Sequence, residues 1–480
     1  MTTHTHTAPG AAGLAPSAPA VPALGRAGLL TVLLGAALPL VDFFIVNVAL
    51  PTMGHDLHAS EPVLELVVAG YGIAYAVLLV LGGRLGDLLG RRRMFLGGLA
   101  AFGLTSLACG LAPTAWVLVI ARIAQGAASA ALLPQVLATI QATTEGPRRA
   151  RAMSMYGATA GLSMVAGQVL GGVLVAADLF GTGWRSVFLV NVPAVLLGLL
   201  LAARTVPETR SARPEPLDGP GTVLLALTLT TLLAPLTEGR AAGWPLWTWL
   251  SLAATPFLAY GFYAVERRAD RAGRTPLVPP SLFQLVSLRR GLAMIVPFAL
   301  GFSGFMFVIA VALQQGAGMG PVSAGLALAP MAAAFFVTSL AGPRLVARWG
   351  TRVVTAGGLL QAAGLLLIGF AAWRTWPDLG VLQLLPGAAV AGAGQALQLP
   401  ILFRVILSEV PAARAGVGGG VMTTAQQAAM ALGVATLGSL FLSLTPGLGM
   451  RDALLLTLAA QLATVALTLA LSLRLPRTVR

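Results

Sequence analysis

The chain has 480 residues, 57% of them hydrophobic and 10% charged, with a mean hydropathy of +0.86. That leaves too little polar surface for a water-soluble protein of this length, and continuous apolar runs of about 20 residues exclude the short alternating segments of an outer-membrane barrel. A net charge of +14 would suit nucleic acid, but its placement between apolar runs points to a polytopic all-α membrane protein, and the 30 basic residues are all Arg, a composition bias.

Residues 1–25 form a Pro/Ala/Thr-rich tail predicted to be disordered and cytoplasmic, in which His4 and His6 do not suggest a metal site. No basic residue precedes Arg26, and the next apolar stretch is longer than a signal h-region, so no cleaved signal peptide is expected. Cys109 is the only cysteine, which excludes an intramolecular disulfide and a cysteine metal cluster.

Runs of spanning length fall near 27–50, 63–83, 94–112, 115–138, 152–176, 186–204, 220–237, 246–265, 291–315, 322–343, 353–373, 380–404, 413–443 and 452–474, fourteen in all. With the N-terminus placed inside, 25 of the 30 arginines fall on the cytoplasmic side. Arg185, Arg240, Arg374 and Arg451 fall outside, and Arg122 lies within a span. A miscounted span would scramble this alternation. Both termini are therefore expected in the cytoplasm, and the protein in the cell inner (plasma) membrane. The polar segments 205–221 and 266–290 read as cytoplasmic linkers; the later part of the second either lies as an amphipathic helix on the inner leaflet or is a solvated loop.

The first span holds Asp42, alone among sixteen acidic residues in lying deep inside a long apolar run rather than at its edge. A carboxylate at that depth is costly, and its default reading is an ion, proton or cationic-substrate site. Arg122 in the fourth span is its counterpart: it meets an acid, a carbonyl or water inside the bundle, or it snorkels to the outer end. Candidate cavity groups are Phe43, Phe44, Asn47, Tyr71, Tyr75, Gln125, Gln168, Phe305, Gln314, Gln395, Gln398, Gln426 and Gln427. Aromatics with a few amides and one acid suit amphipathic or cationic organic molecules.

An internal repeat organises the spans. Gly82, Arg84, Leu85, Gly90 and Arg92 recur at identical spacing as Gly342, Arg344, Leu345, Gly350 and Arg352. A looser echo pairs Gln125 and Pro134 with Gln395 and Pro400. Duplicated six-helix halves are a common transporter plan. The expected organisation is the tail 1–25, an N-terminal six-helix bundle 26–204, a linker with an inserted transmembrane hairpin 205–290, and a C-terminal six-helix bundle 291–475. The hairpin, outside both halves, is expected to be dispensable.

GRLGDLLGRR (83–92) resembles motif A of the major facilitator superfamily. LPLVDFFIVNVALP (38–51), ARIAQGAASAALLP (121–134) and GLSMVAGQVLGGVL (161–174) are similar to the first-helix motif, motif B and motif C of its fourteen-helix drug:proton antiporter branch. WRSVFLVNVPAVLL (184–197) and TTAQQAAMALGVATLGSL (423–440) also look like this branch. Motif C usually carries proline where Gln168 stands, and the second copy of motif A has Ala347 in place of Asp87.

The resemblance implies a proton-coupled exporter of small amphipathic molecules working by alternating access, with Asp42 and Arg122 in proton coupling. Gly83, Asp87, Gly90, Arg91 and Arg92 would form the cytoplasmic gate, with Arg92 and Arg93 also able to anchor the loop to anionic lipid. Gly161, Gly167, Gly171 and Gly172 would pack the interface between halves. No cofactor is expected. The expected partners are a small-molecule substrate, protons and membrane lipid, with no nucleic acid, in a monomer. A membrane enzyme lacks support, since no HExxH, Walker A or GxSxG sequence occurs.

Overall fold

The computed structural model describes residues 24–178, 181–210, 218–239, 242–274, 276–411 and 415–474. Most of the tail with its two histidines, together with Arg213, Arg240, Arg414, Arg477 and Arg480, lies outside them. Among the described residues every regular element is a helix. In hydrocarbon each backbone N–H and C=O must be satisfied within the chain, and a run of apolar residues does so only as a helix or in a closed barrel.

The first half contains α1 (Arg26–Leu57), α2 (Glu61–Leu89), α3 (Arg91–Gly110), α4 (Ala115–Thr143), α5 (Gly146–Ala177), the single turn α6 (Ser186–Leu189) and α7 (Asn191–Thr205). A hairpin follows, α8 (Gly219–Glu238) and α9 (Leu246–Arg271). Then come α10 (Val286–Val311), α11 (Pro321–Trp349), α12 (Arg352–Thr375), α13 (Val381–Leu407), α14 (Ala415–Gly433) and α15 (Ser439–Ser472). A π-helical turn, Ala312–Gly316, ends α10, and a second, Val434–Gly438, joins α14 to α15. Helix starts carry local signals: the Thr114 side chain accepts from the Val117 N–H at 3.3 Å, and Asp218 accepts from the Gly221 N–H at 2.9 Å.

Among the described residues eleven stretches are long and apolar enough to cross a membrane, one of them the 56 residues Val417–Ser472. That stretch is broken at Gly449, which takes a left-handed conformation (φ 75°). The 32-residue α5 and the 26-residue α9 are not among the eleven.

Packing follows the duplication. In the first half α1 packs on α5, α2 on α4, α3 on α4 and α7 on α1 and α3; in the second, α10 packs on α14, α11 and α12 on α13, and α15 on α10 and α12. Both halves also break the motif A loop at a left-handed glycine, Gly90 (φ 107°) and Gly350 (φ 60°). The halves meet at two related seams, α5 on α11 and α14 on α2. The hairpin is not symmetric: α8 and α9 pack together, and α8 lies against α2 and α14.

Two close approaches fix the register. A Cβ added to Gly126 of α4 would run into the backbone carbonyl of Tyr71 in α2, and one added to Gly392 of α13 would run into that of Met331 in α11. Tyr71 and Met331 are 260 residues apart, as are Gly82 and Gly342. Gly126 and Gly392 are 266 apart, and so are Pro134 and Pro400. In this register Gln125 corresponds to Ala391, not to Gln395, so the Pro134–Pro400 part of the looser echo holds and the glutamine pairing does not. The carbonyl contact sets the register, because a helix crossing this close tolerates only glycine.

Candidate functional site

Asp42 and Arg122 meet. Both are fully buried inside the first half, and Arg122 Nη1 donates to Asp42 Oδ2 in an ion pair between α1 and α4. Gln125, one turn along α4, accepts from Arg122 Nη1 at 2.8 Å through Oε1 and donates to Asp42 Oδ1 at 3.0 Å through Nε2. Asn191, the first residue of α7, donates to the same Oδ1 at 2.8 Å and lies 3.0 Å from the Ser106 hydroxyl of α3. The guanidinium also donates from Nε to the Val67 carbonyl at 3.1 Å and lies over the Tyr71 ring, 4.2 Å from its centroid. Groups from α1, α4 and α7 thus meet at one carboxylate, with α2 and α3 bracing its partners. Arg122 does not snorkel: it is enclosed, with its charge neutralised by Asp42 and its face stacked on an aromatic ring.

Tyr71 is tied into the same cluster. Its hydroxyl lies 2.8 Å from Ser129 Oγ and donates to the Pro39 carbonyl at 3.1 Å. Phe44, Phe43, Tyr71 and Tyr75 form a row with ring centroids 5.2, 5.9 and 6.4 Å apart. The row ends at a cleft between the halves lined by Tyr75, Tyr156 and, from α14, Gly419, Gly420 and Thr423. This cleft measures about 20 Å³, room for one water molecule and far below the volume of a drug-sized ligand.

Other candidates scatter. Asn47 is exposed and its amide turns back to the Phe43 carbonyl at 3.3 Å, while Gln314 is exposed in the π-helical turn. Phe305 belongs to the core of the second half. Gln395 and Gln398 are buried in α13, where Gln398 donates to Gln361 of α12 at 2.7 Å. Gln426 and Gln427 are half-buried on α14. Gln125 is buried in the ion-pair cluster and so does not line open space. The Gln168 side chain lies outside what the structure describes.

In the motif A loop, Asp87 pairs with Arg91 at 2.9 Å across the break at Gly90. The Arg91 backbone N–H donates to the Thr209 carbonyl at 2.9 Å, Arg92 donates to the Ala203 carbonyl, and the Arg92 backbone N–H reaches Glu208 at 3.3 Å. These contacts tie the loop to the end of α7 and the segment that follows it. Gly83 is buried in α2 beside Gly82, whose backbone abuts Ala130 of α4. The motif C glycines divide between two neighbours. Gly161 and Gly172 face Phe335 and Val322 of α11 across the seam, whereas Gly167 and Gly171 press on Val41, Phe44 and Ile45 of α1, beside Asp42. The expectation that all four line the interface between halves is corrected accordingly: one helix serves two crossings.

Asn191, Ser106 and Tyr156 escaped the sequence reading. For Asn191 a signal was present, an amide within an otherwise apolar span, which hydrocarbon penalises unless it is bonded. Ser106 and Tyr156 carry no such mark.

The Major Facilitator Superfamily model matches residues 32–434. The chain belongs to the Major Facilitator Superfamily. It is accordingly a multi-pass membrane protein of the plasma membrane and a transporter rather than an enzyme. Within this superfamily it is 37% identical over 436 residues to a probable actinorhodin transporter of Streptomyces coelicolor, an alignment covering 90% of this chain and 74% of that protein. It is 33% identical over 448 residues to a tetracenomycin C resistance and export protein of Streptomyces glaucescens, covering 92% and 80%. The fold matches that of the human organic anion transporter MFSD10 (TETRAN) with a TM-score of 0.65 and 17% identity, covering 92% of this chain and 99% of that one.

Proposed function

We propose that the protein is an antiporter that exchanges protons for small amphipathic or cationic organic molecules of the antibiotic or drug class, exporting them by alternating access. The observation that carries the coupling is the Asp42–Arg122 pair with its Gln125 and Asn191 donors. When Asp42 is ionised, the carboxylate holds α1, α4 and α7 together through charge-assisted bonds. Protonation removes the attraction to Arg122, which keeps its cation–π contact with Tyr71 and leaves a neutral carboxyl to the amides. The same proton therefore changes both helix packing and the aromatic row. Phe43, Phe44, Tyr71 and Tyr75 offer flat apolar faces to a substrate, and the narrow cleft they lead to must widen by separation of the halves before a drug-sized molecule fits.

Export as the direction rests on the relative named for tetracenomycin C resistance and export, and drugs as the substrate class on a relative named for multidrug resistance. Fourteen spans in two six-helix bundles with an inserted hairpin are supported by the repeated packing, by the break at Gly449 that divides the longest apolar stretch, and by the length of α5 and α9. The arginine bias supports cytoplasmic termini. The Asp87–Arg91 pair is the gate, and the protein works as a monomer.

The test is accumulation of a fluorescent cationic dye in cells expressing the protein, with and without a protonophore. Dye exclusion that the protonophore cancels is expected; exclusion that survives it refutes proton coupling. A second reading is a same-fold exporter dedicated to one endogenous metabolite or antibiotic, favoured by relatives named for a single compound. Resistance to a panel of unrelated drugs would decide against it.

A further inference from the structure

The base of the inserted hairpin holds a pair of carboxyl groups that the coupling mechanism does not use. Glu266 lies one residue beyond the apolar stretch 246–265 and is 1% exposed. Its Oε2 accepts from the Val278 N–H at 2.7 Å, while Oε1 is buried with no donor among the described residues. Asp218, ahead of α8, accepts from the Gly221 N–H at 2.9 Å and, through Oδ2, from the Leu277 N–H at 3.3 Å. Glu266 Oε1 and Asp218 Oδ2 crowd the same space beside Gly221, where an added Cβ would overlap both.

The segment these acids grip, 276–278, faces α2 with its carbonyls. Arg84 of motif A is 4% exposed and donates to the carbonyls of Pro276 and Leu277, the latter at 3.0 Å. Leu277 and Val278 also pack on Val80 of α2, with Leu225 of α8, Phe262 of α9 and Val421 of α14 around them. One short strap thus joins both hairpin helices to the motif A helix and touches the other half.

We infer that Asp218 and Glu266 share one proton and form a proton-binding site of their own, which clamps the strap 276–278 to Arg84 of α2. Two ionised carboxylates in this buried space would repel with no donor between them. A single proton turns the contact into a hydrogen bond and supplies the donor that Oε1 lacks. Burial first, and then the neighbouring Asp218, push the Glu266 carboxyl up to about 8, against the Val278 N–H and Arg84, which pull it down. Among the described residues the charged groups that act on Glu266 are Asp218 and Arg84; besides Glu266 itself, α9 gives Phe262 and α14 gives Val421 to the strap. When the proton leaves, repulsion loosens the strap and frees α2, so the hairpin acts as a pH-sensitive brake on the helix that carries the Asp87 loop.

The test uses the full-length protein purified in detergent and needs no substrate, so it stands apart from the efflux reading. Difference infrared spectroscopy follows the C=O stretch of protonated carboxyls across roughly pH 6 to 10. A band lost with a midpoint near 8 is expected, absent from Glu266→Gln. In Asp218→Asn the midpoint falls by about one pH unit, because a like charge has gone. The same band in Glu266→Gln, or an unmoved midpoint in Asp218→Asn, overturns the site, and Asp218→Asn decides alone if Glu266→Gln does not fold. For the clamp, Leu277→Cys in a Cys109→Ser background is labelled with a water-soluble maleimide. Labelling should rise more steeply above pH 8 than when Glu266→Gln is added. An equal rise in both backgrounds refutes the clamp.

Discussion

Asn191 and Asp42 are 149 residues apart in sequence and 2.8 Å apart in space. The amide donates to the carboxylate oxygen that Gln125 also reaches, leaving the other oxygen to Arg122. Asp42 therefore has a donor on each side, and the opening turn of α7 positions it as firmly as α4 does. Asn191→Leu should leave a folded protein that exports several-fold more slowly, whereas Asp42→Asn should abolish gradient-driven export. Dye efflux driven by an imposed pH gradient in proteoliposomes measures both. Full activity in Asp42→Asn would remove the carboxylate from the mechanism.

The pair should also show in stability. Removing one member of a buried ion pair strands the other and costs about 3–5 kcal/mol, while removing both costs less. Thermal unfolding in detergent should place Arg122→Met well below the parent and the double variant Arg122→Met/Asp42→Leu above Arg122→Met. A double variant no better than the single would mean that the two charges do not couple.

Asp42 and Arg122 were legible because ionisable groups in hydrocarbon announce themselves, and the motif A copies fixed the duplication through glycines that turn the same loop in each half. The roles of the glutamines were not legible. A glutamine in an apolar span satisfies its amide with a neighbouring helix, as Gln398 does with Gln361, as readily as it lines a cavity. Nor did sequence spacing bring Glu266 to Asp218, since both look like ordinary loop acids until the strap covers them.

The duplicated carbonyl contacts make a paired prediction. Gly126→Ala and Gly392→Ala each push a methyl group into a helix backbone, Tyr71 in one half and Met331 in the other. Each should cost about 1–3 kcal/mol, by the ordinary penalty of overpacking. Gly97→Ala, where an added Cβ meets nothing, is the control. Equal thermal stability of all three variants would contradict the close crossings.

Asp87→Asn removes the partner of Arg91 but leaves the backbone ties to Thr209 and Glu208. The pair is mostly buried, its side chains 10% and 13% exposed, so stability should fall by about 1–3 kcal/mol, more than an exposed pair would cost. Transport should slow for every substrate alike, with greater labelling of a reporter cysteine at the Asp87 end. Normal turnover with unchanged labelling would leave the loop without a gating role.

Removal of the hairpin tests how the chain tolerates its insertion. By repeat logic alone α8 and α9 are expendable, since the two halves match without them. The packing argues otherwise. Leu229 and Leu233 of α8 are buried against Ala76 of α2, with Ala428 and Ala431 of α14 beside them, so α8 covers one of the two seams between halves. Deleting 219–268 would bare that seam and leave Arg84 without a fixed strap. A chain that keeps its two ends on the same side should still insert but lose monodispersity. Its residual efflux should fall more than that of Glu266→Gln, which alters the strap alone. Size-exclusion profiles of the deletion and point variants measure this, and a monodisperse, active deletion would restore the view that the hairpin is a passenger.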